Sequence, residues 1–577
     1  MEIQTYMIQC DDNRPCTKCV EVGSQCTWDK PAKRRGPQNR HAEEHKRRHQ
    51  GSPLGASSPL NAAQTLASFS RQHISPAETI APLPILNLLI DDYFTFIHPI
   101  TPIPHEPSFR GALQTPTDFQ DTTFLQTLAA MIGCLVARFP RKVRQHFRHA
   151  SIDHMFTSSM SMVNQCNKVI MDAQGLTTLD RDYTVHNVIV SYLQGLTYAA
   201  ISKPQTSLLH FKQCFSIYSV LGLHKEGSQE KHINGGSPPR MTSNGATLQG
   251  PILQGTDLIV RELSRRTFWA LFSSVKSIQQ LGVSPLELCI PPSTKTDPHP
   301  PLPEETDDGY IYPNQILAMP QGVVSELAGF NANVRLYTTY ESTSITELNE
   351  GVNTLVNWER QKKNIERSLE KIKRVAESLP LELSITQPQY TESQDGVPAC
   401  PLHASSQSLN LGQYHTPQEQ QYVARVHMQH EIQKADFFAN KIATGSYLVE
   451  KYFSLLDAHN RTLSPGHQTD TTMPTEREAL IRDFLAVGGT IQHSNIEPNG
   501  ASFVSKLRQI ASALAPRTGG FLTAYLDVLA KLERLAAANN TPTIATPAEE
   551  GQETQLWAEL REEQVGFARA GGFGGEV

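Results

Sequence analysis

Residues 123–136 read TFLQTLAAMIGCLV, and around LAAMIGCLVA, residues 128–137, the run is apolar on nearly every side when wound at 3.6 residues per turn. A helix with no polar face has to be covered by other helices, so this stretch predicts the buried member of a helical bundle. Upstream, Ile85, Leu86, Leu89, Ile90, Tyr93 and Ile97 recur at helical spacing, and His98-Pro99 ends the helix because the residue before proline is pushed out of the α region. TPIPHEPSF, residues 101–109, reads as a proline-punctuated loop. Downstream, helices are predicted over 153–174, 182–200, 205–223 and 257–280, with HINGGSPPRMTSNGATLQG and STKTDPHPPLPEETDDG as surface loops between and after them. Helix follows helix with no alternating run, which predicts an all-α array of antiparallel helices.

Farther along, Leu355, Trp358, Ile365, Leu369, Ile372 and Leu379 lie in a near-heptad array interrupted by Lys362 and stopped by Pro380. With only about three heptads, the pattern favours an amphipathic helix packed within the chain over an intermolecular coiled coil. Residues 381–417 read as a loop, and 418–457 as one long or broken helix carrying Tyr422, Val426, Ile432, Phe437, Ile442, Tyr447, Val449 and Phe453. The pair His427 and His430 on it has no partner at ligand spacing, so both are expected on the surface rather than on a metal. Helices at 476–487, 502–514 and 520–538 complete the C-terminal part. In the Thr-, Pro- and Glu-rich tail, Leu556, Trp557, Leu560 and Phe567 stand among Glu553, Glu559, Glu562 and Glu563. That composition suits an activation segment and equally a frayed amphipathic helix.

The chain has 577 residues, 39% of them hydrophobic, and a formal net charge of −6. Residues 30–49 hold eight Lys or Arg against two Glu, a local +6 that leaves −12 on the remainder. An acidic body with a basic arm suits an electrostatic nucleic-acid contact or an import signal. The arm includes Lys33, Arg34, Arg35, Arg40, Lys46, Arg47 and Arg48, which can neutralise phosphates without reading sequence or serve nuclear import. Directly before it stand Cys10, Cys16, Cys19 and Cys26 in the spacing C-x5-C-x2-C-x6-C. Two thiolates on one tight turn, with flanking cysteines about six residues away, can close a tetrahedron of sulfur around Zn2+. The remaining cysteines, Cys134, Cys166, Cys214, Cys289 and Cys400, are scattered among apolar neighbours, which is no disulfide framework and implies a reducing compartment. No apolar run approaches the ~20 residues of a membrane helix, and the N-terminus lacks the pattern of a signal peptide.

The stretch CDDNRPCTKCVEVGSQCTWDKPAKRRGP, residues 10–37, resembles the second half of the fungal binuclear zinc-cluster DNA-binding domain, in which six cysteines hold two zinc ions. The resemblance implies that Cys10, Cys16, Cys19 and Cys26 are the family's third to sixth ligands. The family's second cysteine falls at Ile3, its first before Met1, and the basic helix that reads bases is matched by QTYMIQ, without Lys or Arg. Two further stretches, YSVLGLHKEG (218–227) and RELSRRTFWALFSSVKSIQQLGVSP (261–285), resemble the middle homology domain of the same family. There the family places Asp-Arg and Gly-Arg-Pro where this chain has Val275-Lys276 and Gly282-Val283-Ser284.

The resulting expectation is a partial zinc-cluster arm at 1–29, a basic arm and linker at 30–83 without an apolar heptad, a helical regulatory domain at 84–380, a C-terminal helical region at 418–540 and a tail at 541–577. No G-x-S-x-G elbow, P-loop, G-x-G-x-x-G after a strand or H-E-x-x-H occurs, so no enzyme is expected. The resemblance implies a nuclear transcriptional regulator of RNA polymerase II genes that uses Zn2+. Its implied partners are DNA, transcription machinery or co-regulators, a small-molecule effector and a second copy in a homodimer, with no membrane. DNA reading is specific only if the missing half-cluster lies upstream, and the abrupt end of the match predicts in-frame upstream codons for a further C-x2-C pair. The competing expectation is a helical interaction protein that modulates another transcription factor without reading DNA.

Overall fold

The structure, a computed structural model, describes residues 76–114, 121–175, 183–201, 203–223, 257–285, 287–385, 416–462, 472–490 and 497–499. Among them thirteen α-helices account for nearly all regular structure, and the one β pairing is an isolated antiparallel bridge between Ile311 and Ile316. The all-α expectation therefore holds for the described residues.

The helices begin where local chemistry satisfies their first N–H groups. Five have proline at their first or second position: α1 (Leu83–Asp92), α2 (Glu106–Leu113), α4 (Pro140–His149), α7 (Pro204–Val220) and α12 (Pro417–Thr462). Others start on a side-chain cap. Asp121 accepts from Thr123 N at 2.8 Å to open α3 (Thr122–Arg138), and Ser158 accepts from Ser161 N at 3.0 Å to open α5 (Ser159–Gln174). Thr184 and Asn187 form a capping box on α6 (Val185–Ala200), and Asp257 accepts from Ile259 N at 2.9 Å on α8 (Leu258–Gln280). The others are α9 (Ala328–Thr338), α10 (Glu341–Glu350), α11 (Trp358–Glu377) and α13 (Thr472–Thr490).

As its sequence demands, α3 is buried from Phe124 to Val136, between α5 and α6 and against α1 and α4. Helix α6 packs in turn on α7, and α8 crosses α6, α7, α9 and α12. Helix α12 runs along α9, α11 and α13, so its apolar side, including Phe437, Ile442, Leu448 and Tyr452, joins the same core as α1–α9. Among the described residues no single helix is long and apolar enough to cross a membrane.

Several expectations are corrected. TPIPHEPSF is a loop only as far as His105, because Pro107 sits in the first turn of α2. The sequence reading missed α4, α9 and α10 altogether. STKTDPHPPLPEETDDG lacks α-helix, but it is more than a surface loop: Asp308 is buried, and the carbonyls of Pro301 and Pro303 accept from Trp269 and Asn331. His427 is exposed as expected, whereas His430 is buried, and burial lowers its pKa.

Close approach of α6 to α7 depends on Gly195, where a Cβ would stand 2.5 Å from the ring of buried Phe211. Gly195→Ala is therefore expected to lose about 1–3 kcal/mol of stability through overpacking. Gly111→Ala, on an exposed face of α2 with nothing near its Cβ, is expected to be neutral or to gain up to about 1 kcal/mol. Urea unfolding of both variants checks the contrast, which equal effects would refute.

Candidate functional site

Cys10, Cys16, Cys19 and Cys26, and the basic residues Lys33, Arg34, Arg35, Arg40, Lys46, Arg47 and Arg48, lie outside the described residues. As a donor set the four thiols suffice: four thiolates complete the tetrahedral shell of one structural zinc ion. Two ions sharing sulfur need more donors than these four. Among the described residues no group of three or more His, Cys, Asp or Glu is placed to hold a metal. Cys134, Cys166 and Cys214 are buried and free, with burial pushing the Cys166 thiol up to about 12, so these thiols are packing groups.

Within the helical body the main polar centre is built on α8. Arg266, nearly fully buried, points Nη1 at Asp308 Oδ1 at 2.5 Å and at the Pro102 carbonyl at 3.3 Å. Asp308 Oδ2 accepts from Glu106 N at 2.8 Å and lies 3.6 Å from His98 Nε2. His98 Nε2 also donates to the Pro104 carbonyl at 3.1 Å. His105 is fixed as one tautomer: Nε2 donates to the Asp308 carbonyl at 3.0 Å, while Nδ1 accepts from Ser108 at the start of α2. Glu106 receives Arg110 Nε at 2.8 Å and Arg425 Nη2, from α12, at 2.7 Å. The loops 101–106 and 303–308 are thereby tied to α8 and α12.

Electrostatics follow from this geometry. Burial would raise the Asp308 carboxyl, but Arg266, and then His98 and His105, outweigh it and hold the pKa at about 2. Burial would likewise raise Glu106, yet the hydrogen bond from Arg425 prevails and the group is lowered. Both histidines are lowered, chiefly by burial. On the far side of the cluster the balance reverses. Glu326 is pushed up to about 8 by burial and then by Asp307, whose Oδ1 accepts from Glu326 N at 2.7 Å. This arrangement makes a rigid, largely desolvated junction, in which the Ser108 hydroxyl donates to His105 Nδ1 at 2.8 Å. Arg266 lies in the 261–285 stretch that carries the resemblance; Asp308, the partner that completes the centre, lies outside it.

A family model for the fungal Zn(2)-Cys(6) binuclear cluster domain matches residues 7–35. The Maltose fermentation regulatory protein MAL13 of Saccharomyces cerevisiae is 22% identical over 228 residues, covering 38% of this chain and 41% of that protein. The chain thus matches about two fifths of the length of that curated relative. No solved structure matches the chain.

Two predictions come from the polar centre. Arg266→Met leaves Asp308 buried without its cation and is expected to cost about 3–5 kcal/mol, whereas Arg266→Met combined with Asp308→Leu recovers most of the loss. Equal losses in the single and double variants, measured by urea unfolding, would refute the pairing. For Glu326, a folded pKa of about 8 against an ordinary 4.5 means that the folded state holds the proton more tightly. Its contribution to stability therefore falls as pH rises from about 4.5 to about 8. Glu326→Gln is expected to remove that decline and to exceed the parent at pH 9 by a few kcal/mol at most. Parallel stability-against-pH curves for the two chains would show the carboxyl to be unperturbed.

Proposed function

We propose that this chain, which carries a fungal Zn(2)-Cys(6) cluster segment at residues 7–35, is a zinc-cluster-type transcriptional regulator of RNA polymerase II genes. The match of that segment is the observation that carries the reading. The likeness over 228 residues to a protein named as a fermentation regulator supports it. In this reading Cys10, Cys16, Cys19 and Cys26 hold Zn2+ as four thiolates, which supplies folding energy to a segment too polar to make a core. Lys33, Arg34, Arg35, Arg40, Lys46, Arg47 and Arg48 contact DNA phosphates and direct the protein to the nucleus. The helical body serves as the regulatory part and meets co-regulators or an effector.

One observation favours a second reading. Residues 1–9 contain no Lys or Arg, although the family reads bases from a basic helix between its second and third cysteines. Without that helix the protein acts as an interaction module on another regulator, and its own contact with DNA is limited to phosphates.

Zinc analysis of the purified full chain, together with DNA titration, separates these readings. About one zinc per chain is expected, lost when Cys16 and Cys19 are both replaced by serine; absence of zinc from the parent would sink the cluster assignment. Binding to a CGG-triplet duplex and to a scrambled duplex is expected to be equally weak and to fall steeply with salt. A clear preference for the triplet would place base reading in this chain and reject the second reading.

A further inference from the structure

Four cationic side chains are buried among the described residues: Arg266, Lys276, Lys451 and Arg477. Three sit on a carboxylate. Arg266 meets Asp308 at 2.5 Å, Lys451 meets Glu347 at 2.6 Å, and Arg477 pairs with Glu450. Lys276, on α8 and only 9% exposed, has no carboxylate within 4.0 Å among the described residues. Its Nζ donates to Ser344 Oγ and lies 5.5 Å and 5.7 Å from the ring centroids of Phe272 and Tyr340. One hydroxyl and two ring faces are a thin substitute for water around an ammonium with three protons to donate. Burial accordingly lowers the Lys276 pKa.

This ammonium lines a small crevice, partly open to solvent, between α8, α10 and the segment 285–299. The walls divide into two kinds. Phe272, Ile290, Ile345 and Leu348 are apolar, while Ser344 and Glu341 bring a hydroxyl and a carboxylate to the same space. Glu341 forms no ion pair with Lys276, and Glu347 is already taken by Lys451 and Tyr447. A cation and an anion that line the same crevice without pairing with each other complement a molecule with a carboxylate at one end and a hydrogen-bond donor beside it.

We propose that the Lys276 crevice binds a small carboxylic acid bearing a hydroxyl or ammonium group next to its carboxylate. The carboxylate pairs with Lys276, the adjacent donor reaches Glu341, and a short side chain meets Phe272 and Leu348. Binding of this kind couples α8 to α10 and gives the helical body a chemical input independent of the zinc cluster.

The test is thermal unfolding of the full chain with L-lactate, L-alanine, lactamide and alaninamide, at constant ionic strength and pH. L-lactate or L-alanine is expected to raise the unfolding temperature saturably, and the two amides, which lack the carboxylate, are expected to leave it unchanged. In Lys276→Gln, shown to be folded by far-UV circular dichroism, the carboxylate effect is expected to vanish. Should that variant fail to fold, Leu348→Trp fills the crevice from its wall and is expected to abolish the effect in the same way. No saturable rise with either carboxylate in the parent chain, a rise of equal size with the amides, or a rise that survives the substitution would overturn the proposal.

Discussion

The Arg266 to Asp308 ion pair is the constraint on which the helical body depends. An ion pair withdrawn from water adds little net stability, because both charges lose their hydration, but removing one partner leaves the other stranded at a cost of several kcal/mol. Its effect is therefore on which structure forms. The segments 101–106 and 303–308 are rich in proline and polar residues and have little apolar surface with which to find a place. Arg266 holds both, through Asp308 and the Pro102 carbonyl, and Glu106 then receives Arg425 from α12, more than three hundred residues away in sequence. Without that cation, α2 and the 303–308 loop would lose the contact that orients them against α8.

Helix α12 is held by a comparable device extended along its length. Gln429 donates to the Phe94 carbonyl at 3.1 Å and Gln433 to the Pro99 carbonyl at 2.9 Å. Farther along, Asn440 donates to Asn333 Oδ1 and accepts from Tyr337 OH, and Thr444 accepts from Gln280 at 3.0 Å. Apolar side chains alone would let a helix this long slide by a turn at modest cost. Each buried amide has to find its own partner, so a slip would leave several of them unsatisfied. The approach is close enough that a Cβ at Gly329 would stand 2.7 Å from the Gln433 side chain.

Legibility in the sequence followed burial of apolar surface. The cores of α1, α3, α6 and α8 announce themselves because their inward faces are hydrocarbon at helical spacing. Helix α9, AGFNANVRLYT, does not, because Asn331 and Asn333 occupy inward positions and donate to the Pro303 carbonyl and to Asp436. Helix α4, PRKVRQHFRH, buries Val143 and Phe147, and its basic residues hide that spacing. Asp308 stands in an acidic, proline-rich run where Glu304, Glu305 and Asp307 are equally plausible by composition. Only the fold, which brings residue 308 to α8, distinguishes it. At the N-terminus the reverse holds: the cysteine spacing and the basic flank are legible without any fold, because ligand spacing is a local property of the chain.

Charge pairing also decides where a nucleic acid can be met. Apart from the 30–49 arm the chain carries −12, and many of the body's cations are already committed to its own carboxylates. Arg265 lies 2.8 Å from Glu262, Arg335 2.6 Å from Glu305, Lys441 2.6 Å from Asp483 and Lys373 2.5 Å from Glu476. Helix α4 has the opposite sign, yet there too basic side chains are engaged. His146 meets Asp92 at 2.6 Å, Lys142 lies over the Phe96 ring and Arg144 over that of Phe156. A phosphate approaching this body would meet net repulsion and would have to displace existing partners, of which the Arg265 to Glu262 and Lys441 to Asp483 pairs are the least exposed to screening. The arm at 30–49 has the opposite balance, with eight cations against two acids within twenty residues. Electrostatics thus divides the labour: the arm can attract a polyanion, and the body, repelling it, remains available for partners recognised by shape and by its buried polar groups.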